Sequence, residues 1–365
     1  MEKKLFLLSL LSCALFLISA CSKDEQPNPG PDPGVLSSTG VYILNAGFMG
    51  FNDATLDYYD TETKELQKDI FMLKNGRGLG DTGQSLLIYG TKIYIAVSGS
   101  RKIEITDLSG KSLKQLEIKD SNGAPQSPYY FAYYKDKVYV TLYDGYVACI
   151  DTATMTVDEK QVKVGDNPEH LVVANNKIYV ANSGGMNYPN YGKTVSIIDP
   201  VSFTVMKTLE VGENPQYMAT SNAGNKVFLI STGDYSPGSN ILQRIDTQTD
   251  QVTKIEGLNT TWMSMGADDK LYIINAGYDE QWNPLPVQYC IYDAANEKLL
   301  GEFISDGTTI PSPYHISTDK TGGNIYIGSS VGTNRGDMYI YSPEGKFLHK
   351  FELSGSLPEA VYFIP

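Results

Sequence analysis

The sequence predicts an all-β fold: a seven-bladed β-propeller of four-stranded blades, closed into a ring when the last strand pairs into the first blade. Three observations carry this. An apolar triplet with a central aromatic recurs at Val41-Tyr42-Ile43, Ile93-Tyr94-Ile95, Val138-Tyr139-Val140, Ile178-Tyr179-Val180, Val227-Phe228-Leu229, Leu271-Tyr272-Ile273 and Ile325-Tyr326-Ile327, with spacings of 40 to 54 residues. That repeat length, joined to alternating apolar residues and no helical stretch, is a propeller signature. Finally, the first unit lacks an innermost strand, and the segment Leu357 to Pro365 fits the vacancy.

Within each unit the elements follow in a fixed order. The innermost strand precedes the triplet, often after a proline: Pro128-Tyr129-Tyr130, Pro168-Glu169-His170, Pro215-Gln216-Tyr217 and Pro313-Tyr314-His315, with Gly83-Gln84-Ser85 and Thr260-Thr261-Trp262 in the same place. The strand after the triplet ends in Asp60, Asp107, Asp151, Asp199, Asp246 and Asp293, with Ser342 in the last unit. An Asp there starts a turn by accepting backbone N–H bonds, so these acids are structural. A turn and a fourth strand follow, as in Thr204 to Val211. Closing the ring through the C-terminus removes an exposed sheet edge. Residues 40–365 give 326 residues, about 47 per blade.

Upstream of the propeller the chain has a different organisation. Residues 1–20 carry Lys3 and Lys4 and then an uncharged, mostly apolar run from Leu5 to Ala20. At 16 residues this run is short of the roughly 20 needed to span a membrane, and it has the layout of an export signal. Leu17-Ile18-Ser19-Ala20-Cys21 resembles the lipobox of bacterial lipoproteins, which implies lipidation of Cys21. Ser22-Lys23-Asp24-Glu25 resembles the acidic signal that sends Bacteroidetes lipoproteins to the outer face of the outer membrane. The Pro/Gly run that follows cannot pack a core and reads as a spacer, so residues 21–39 are expected to be a lipidated cysteine and tether.

The formal charge is −13; the first 20 residues carry +1, leaving about −14 after processing. Such acidity opposes contact with phosphate backbones and argues against nucleic acid as a partner. Of the four cysteines, Cys13 leaves with the signal and Cys21 takes the lipid. Cys149 and Cys290 lie in apolar strand patterns three repeats apart and read as buried free thiols.

Chemistry is expected on one rim. The loops joining the outermost strand to the next innermost strand, and the second strand to the third, share a face, and several are long and aromatic. Phe48, Phe51, Tyr188, Tyr191, Tyr235, Tyr278 and Trp282 sit there among Gly, Asn and Pro. They are the expected wall of a concave ligand site, the alternative being loops that pack on one another. Asn45, Asn182, Asn187, Asn190 and Asn275 could offer amides to a polar ligand, although Asn-Ala-Gly and Asn-Ser-Gly are also turn sequences. From the inner strands, Tyr130, His170, Tyr217, Trp262 and His315 complete the candidate ligand-binding set. His170 and His315 fall in nearly opposite blades, too far apart to share a metal. Glu169, Gln216, Glu359 and His315 near the axis leave room for a small ion without tight ligand spacing. No phosphate loop, nucleophile elbow or Cys/His metal spacing appears, so no catalytic residue, resident cofactor or metal is assigned.

Gly165-Asp166-Asn167-Pro168, Gly212-Glu213-Asn214-Pro215 and Val195-Ser196-Ile197-Ile198-Asp199-Pro200 resemble the YncE-like propeller superfamily. Joined to the lipobox, the tether, the opening Val41 to Gly47 and the ending Pro358 to Pro365, the chain looks like Bacteroidetes surface lipoproteins of the BtuG type. That resemblance implies capture of cobalamin or another corrinoid outside the cell and delivery to a TonB-dependent outer-membrane transporter, with no catalysis. Cobalamin would be cargo, not cofactor, and the membrane would be met through the lipid alone. Two other expectations stand beside it: a propeller enzyme of lactonase or lyase type working from the axis, and a glycan- or protein-binding subunit of another uptake complex.

Overall fold

The computed structural model describes residues 39–364; Cys21, the export signal and most of the tether lie outside the described residues. Seven separate antiparallel sheets follow one another along the chain. Each is a blade, and five of them have four strands in simple sequence order from the axis outward. In blade 1 the innermost strand is Pro358–Phe363, paired with Gly40–Asn45 at the other end of the chain through Ile43↔Val361 and Leu44↔Ala360. The ring is therefore closed as the sequence predicts.

The apolar triplets form the second strands, and both faces of each are buried. In blade 1, Tyr42, Leu44, Leu56 and Tyr58 pack against Leu86, Ile93 and Ile95 of blade 2. The alternate residues Val41, Ile43 and Tyr59 pack against Tyr326, Met338 and Ile340 of blade 7. This two-sided burial explains why the strands read as apolar on both faces rather than apolar and polar by turns. Each fully buried side chain contributes roughly 1.5–3 kcal/mol.

The repeated Asp positions act as expected. Asp246 accepts N–H bonds from Gln248 at 3.0 Å and Thr249 at 2.8 Å, and Asp151 accepts from Ala153 at 3.1 Å and Thr154 at 2.9 Å. Ser342 accepts from Glu344 and Lys346 in the last blade. Cys149 is buried and Cys290 half-buried, and both are free thiols.

Two local features depart from the sequence reading. A six-residue helix, Ile70–Asn75, lies in the connection between blades 1 and 2, where no helix was expected. Asp69 caps its first turn by accepting the Met72 N–H at 3.2 Å, and Gly76, at φ 64°, ends it by donating to the Met72 carbonyl at 2.9 Å. Ile70 and Phe71 give it an anchor by joining the interface of blades 1 and 2. In blade 3 the outer edge is split between two-residue strands, Thr156–Val157 and Val162–Lys163, which pair with different parts of Tyr146–Asp151.

Candidate functional site

Six of the seven inner strands begin with a register shift. It falls between Gly83 and Ser85, Pro128 and Phe131, Pro168 and Leu171, Pro215 and Tyr217, and Pro313 and His315; in blade 1 it leaves Glu359 unpaired. A bulge re-aims the side chains it carries, and a leading proline costs no ladder bond there. Asn167 and Asn214 precede two of these prolines in the left-handed region, at φ 45° and 56°, which Asn tolerates better than most residues. The bulges send Gln84, Tyr130, His170, Tyr217 and Glu359 toward the axis.

There they form a plug. Gln84 donates to the Tyr130 hydroxyl at 3.0 Å, and that hydroxyl donates to Glu359 Oε1 at 3.0 Å, tying blades 2, 3 and 1 together. The Tyr314 hydroxyl also favours the ionised form of Glu359. An aromatic arc continues through five blades: ring centroids lie 3.8 Å apart for Tyr130 and His170, 5.1 Å for His170 and Tyr217, 4.7 Å for Tyr217 and Trp262, and 6.5 Å for Trp262 and His315. The two remaining positions hold Ala360 and Ser85, and the space they leave belongs to a cavity of about 570 Å³.

Electrostatics at the axis follow from removal from water. Burial raises Glu169 to about 8, helped by the neighbouring Glu359 charge and opposed by the Ser183 hydroxyl. Glu359 rises to about 7 from the same main cause, against the Tyr130 and Tyr314 hydroxyls that favour its ionised form. Burial also lowers His170 to about 3 and His315 to about 4, so both imidazoles are neutral at pH 7. Met218 donates its N–H to His170 Nδ1 at 3.4 Å, and His315 Nε2 sits 2.7 Å from Ser317 Oγ. Among the described residues no group of three or more His, Cys, Asp and Glu is arranged to hold a metal ion.

The remaining candidates lie on the loop face and fall into three sets. Tyr188, Tyr191 and Tyr235 form an edge-to-face chain with centroids 6.1 and 5.7 Å apart, linking the loops of blades 4 and 5. Tyr235 also joins Tyr278 and Trp282, themselves 6.1 Å apart, along a groove of about 330 Å³ between blades 5 and 6. Phe48 and Phe51 pair with each other at 6.2 Å on blade 1 and do not line that groove. Trp282, Tyr188 and Phe51 are 60%, 76% and 75% exposed, whereas Tyr191 is only 9% exposed and supports its neighbours.

The twelve candidates are thus not one pocket. Tyr130, His170, Tyr217, Trp262 and His315 line the axial cavity. That cavity runs along the later part of the inner strands and reaches Asp319, Lys320 and Thr321 in the turn after Pro313–Thr318. It therefore opens on the short-turn side, away from the loop face that the loop lengths had singled out. Two of the amides are structural. Asn45 is fully buried and donates to Thr55 and Asp57; Asn182 donates to Thr194 and Ser196 within its own blade. Asn275 lines the groove but donates to Gln288 at 2.9 Å, and Asn187 donates to Asp166 at 3.1 Å. Sequence reasoning did not assign Tyr314, Met263, Tyr362 or Phe363 to the axis; the proline before each bulge was the available signal for Tyr314.

Fold and site define a closed seven-bladed β-propeller with a plugged axis and an aromatic loop face. The chain belongs to the family described as a domain of unknown function, DUF5074, which matches residues 39–277. No curated protein matches the sequence. Among solved structures it is similar to a quinonprotein alcohol dehydrogenase-like protein of Bacteroides thetaiotaomicron VPI-5482, at 17% identity and TM-score 0.61 over 90% of this chain and 79% of that one. It is similar also to a functionally unknown protein of Desulfotomaculum acetoxidans DSM 771, at 10% identity and TM-score 0.61 over 90% and 99%. Kuenenia stuttgartiensis hydrazine synthase follows at 17% identity and TM-score 0.56 over 70% and 74%. At these identities the likeness is one of fold.

Proposed function

We propose that this chain is a non-enzymatic surface lipoprotein that binds a corrinoid, cobalamin in particular, on its loop face and passes it to a TonB-dependent outer-membrane transporter. The observation that carries the reading is the run of exposed rings Tyr188, Tyr235, Tyr278 and Trp282, which extends across the loops of three adjacent blades beside a groove. Exposed apolar surface of that kind marks a binding site more often than idle surface. A corrinoid is broad, with apolar ring edges and peripheral amides. It asks for a wide aromatic rim and does not ask for strong charge, so the acidity of the chain is no obstacle. Cys21 carries the lipid, and anchoring to the same membrane as the transporter raises the local concentration for handover.

Titration calorimetry of the chain with cyanocobalamin tests this. Saturable binding at micromolar ligand is expected, and replacing Tyr188, Tyr278 and Trp282 together with Ala weakens it while leaving the melting curve nearly unchanged. Absence of heat, with no shift in melting temperature, rejects the reading. A second reading, catalysis at the axis in the manner of a lactonase or lyase, is favoured by one observation: two carboxyl groups there, Glu169 and Glu359, titrate near neutral pH. Hydrolysis of a lactone panel, abolished by Glu169→Gln, would establish it in place of the first.

A further inference from the structure

The axial cavity has a chemistry distinct from the rim. Its charged lining residues are Glu359 at the inner end and Asp319 and Lys320 at the mouth. Lys320 reaches Asn222 Oδ1 at 3.4 Å, and the Asp319 side chain accepts N–H bonds from Thr321 and Gly322, so the mouth residues are engaged with their own surroundings. None of the described ion pairs includes Glu359. Its carboxyl accepts the Tyr130 hydroxyl at 3.0 Å, which fills one of the roughly four lone-pair positions of a carboxylate. The walls around it are the rings of Tyr130, Tyr217 and Trp262, with Tyr362 and Phe363 further out.

A carboxylate without a cationic partner among the described ion pairs, in a cavity lined in part by the aromatic rings of Tyr130, Tyr217, Trp262, Tyr362 and Phe363, matches one ligand chemistry. Ring faces carry negative quadrupole charge and attract cations within about 6 Å. An anion would meet Glu359 unscreened, and a neutral apolar body would leave the carboxyl desolvated with nothing gained. A hydrated metal ion would have to give up water to rings that cannot coordinate it. We propose that the axial cavity binds a small organic monocation, an ammonium or quaternary ammonium group on an aromatic or aliphatic body, with its charge against Glu359 and its body against Trp262 and Tyr217. This site is independent of the loop-face groove, and neither assignment needs the other.

The probe is benzyltrimethylammonium chloride, titrated calorimetrically into the whole chain at pH 8, with benzyl alcohol as its neutral counterpart. The cation is expected to bind at least about tenfold more tightly than the alcohol. Glu359→Gln, nearly isosteric, should lower cation affinity about tenfold and leave the alcohol unaffected. Trp262→Leu, which keeps an apolar side chain, should weaken the cation as well, so the proposal stays testable if Glu359→Gln does not fold. Trp282→Ala, which alters the loop-face groove and not the axial cavity, should leave cation affinity unchanged. The proposal is overturned by no saturable cation binding below about 10 mM, by equal affinity for cation and alcohol, by indifference to both axial variants, or by loss of cation binding in Trp282→Ala.

Discussion

Ionisable groups at the axis set how stability depends on pH, and their signs can be worked out group by group. Glu169 and Glu359, ordinarily near 4.5, are raised to about 8 and about 7. Each keeps a proton in the folded chain that the unfolded chain has lost, so the stability it contributes is full below pH 4.5 and is lost as pH rises through 7 and 8. His170 and His315, ordinarily near 6.5, are lowered to about 3 and about 4. Their contribution is full above pH 6.5 and is lost as pH falls. Each group contributes a slope of up to about 1.4 kcal/mol per pH unit. Between pH 4.5 and 6.5 two carboxyls and two imidazoles oppose one another and the melting temperature should be nearly flat. Above 6.5 only the carboxyls act, and stability should fall by on the order of 2 kcal/mol by pH 8, after allowance for water that reaches these partly exposed groups. For a domain of this size that is about 4 °C. Calorimetric melts of the chain and of Glu169→Gln/Glu359→Gln at half-unit steps from pH 4.5 to 8 give the comparison. The double variant should gain stability up to pH 6.5 and then stay level. A wild-type melting temperature that rises or stays flat from 6.5 to 8, or a double variant with the same profile, would refute the electrostatic account of the plug.

Other outcomes follow from the packing. Val361→Asp puts a charge at a 5% exposed position opposite Ile43 in the closing strand and should cost at least about 3 kcal/mol in urea unfolding; an unchanged midpoint would mean that Pro358–Phe363 does not close the ring. Gly345 sits at φ 75°, and a Cβ there would lie 1.3 Å from the Phe303 carbonyl oxygen. Gly345→Ala should therefore destabilise strongly, by more than about 2 kcal/mol, whereas wild-type stability would show that the blade 6 to blade 7 link lies elsewhere. Hydrogen bonds from the turn N–H groups hold Asp151 down at about 2 and lower Asp246, and the Asn296 side chain with its own N–H lowers Asp293. Their contribution is present above pH 4 and lost as pH falls through the folded values, so Asp151→Asn should soften the acid limb of a circular-dichroism titration; an identical limb would remove the turn role.

Blade number, strand order and ring closure were legible because each rests on a repeat with one physical cause. A sheet buried on both faces writes an apolar triplet at every turn of the ring, and a missing first strand can be filled only by the last. The short helix was not legible. Its signal is a single cap, Asp69, and the Gly76 stop, and its six residues are too few to show a helical period. At the site, loop composition identified the exposed rings but not their grouping, because Tyr188 meets Tyr235 through Tyr191 only once two blades are placed side by side. The axial direction of Tyr130, Tyr217 and Glu359 depends on bulges that shift register by one residue, and such a shift turns a side chain to the opposite face. Asn45 and Asn182 read equally well as ligand donors or turn residues, and their burial inside the blade decides for structure.

The proposed function places cargo on the loop face. Amide hydrogen exchange of the chain with and without saturating cyanocobalamin tests it most directly. Slowed exchange is predicted in residues 183–191, 233–239 and 276–285, with the inner strands Trp262–Met265 and Pro358–Phe363 unchanged. Protection confined to those inner strands, or none anywhere, would contradict it.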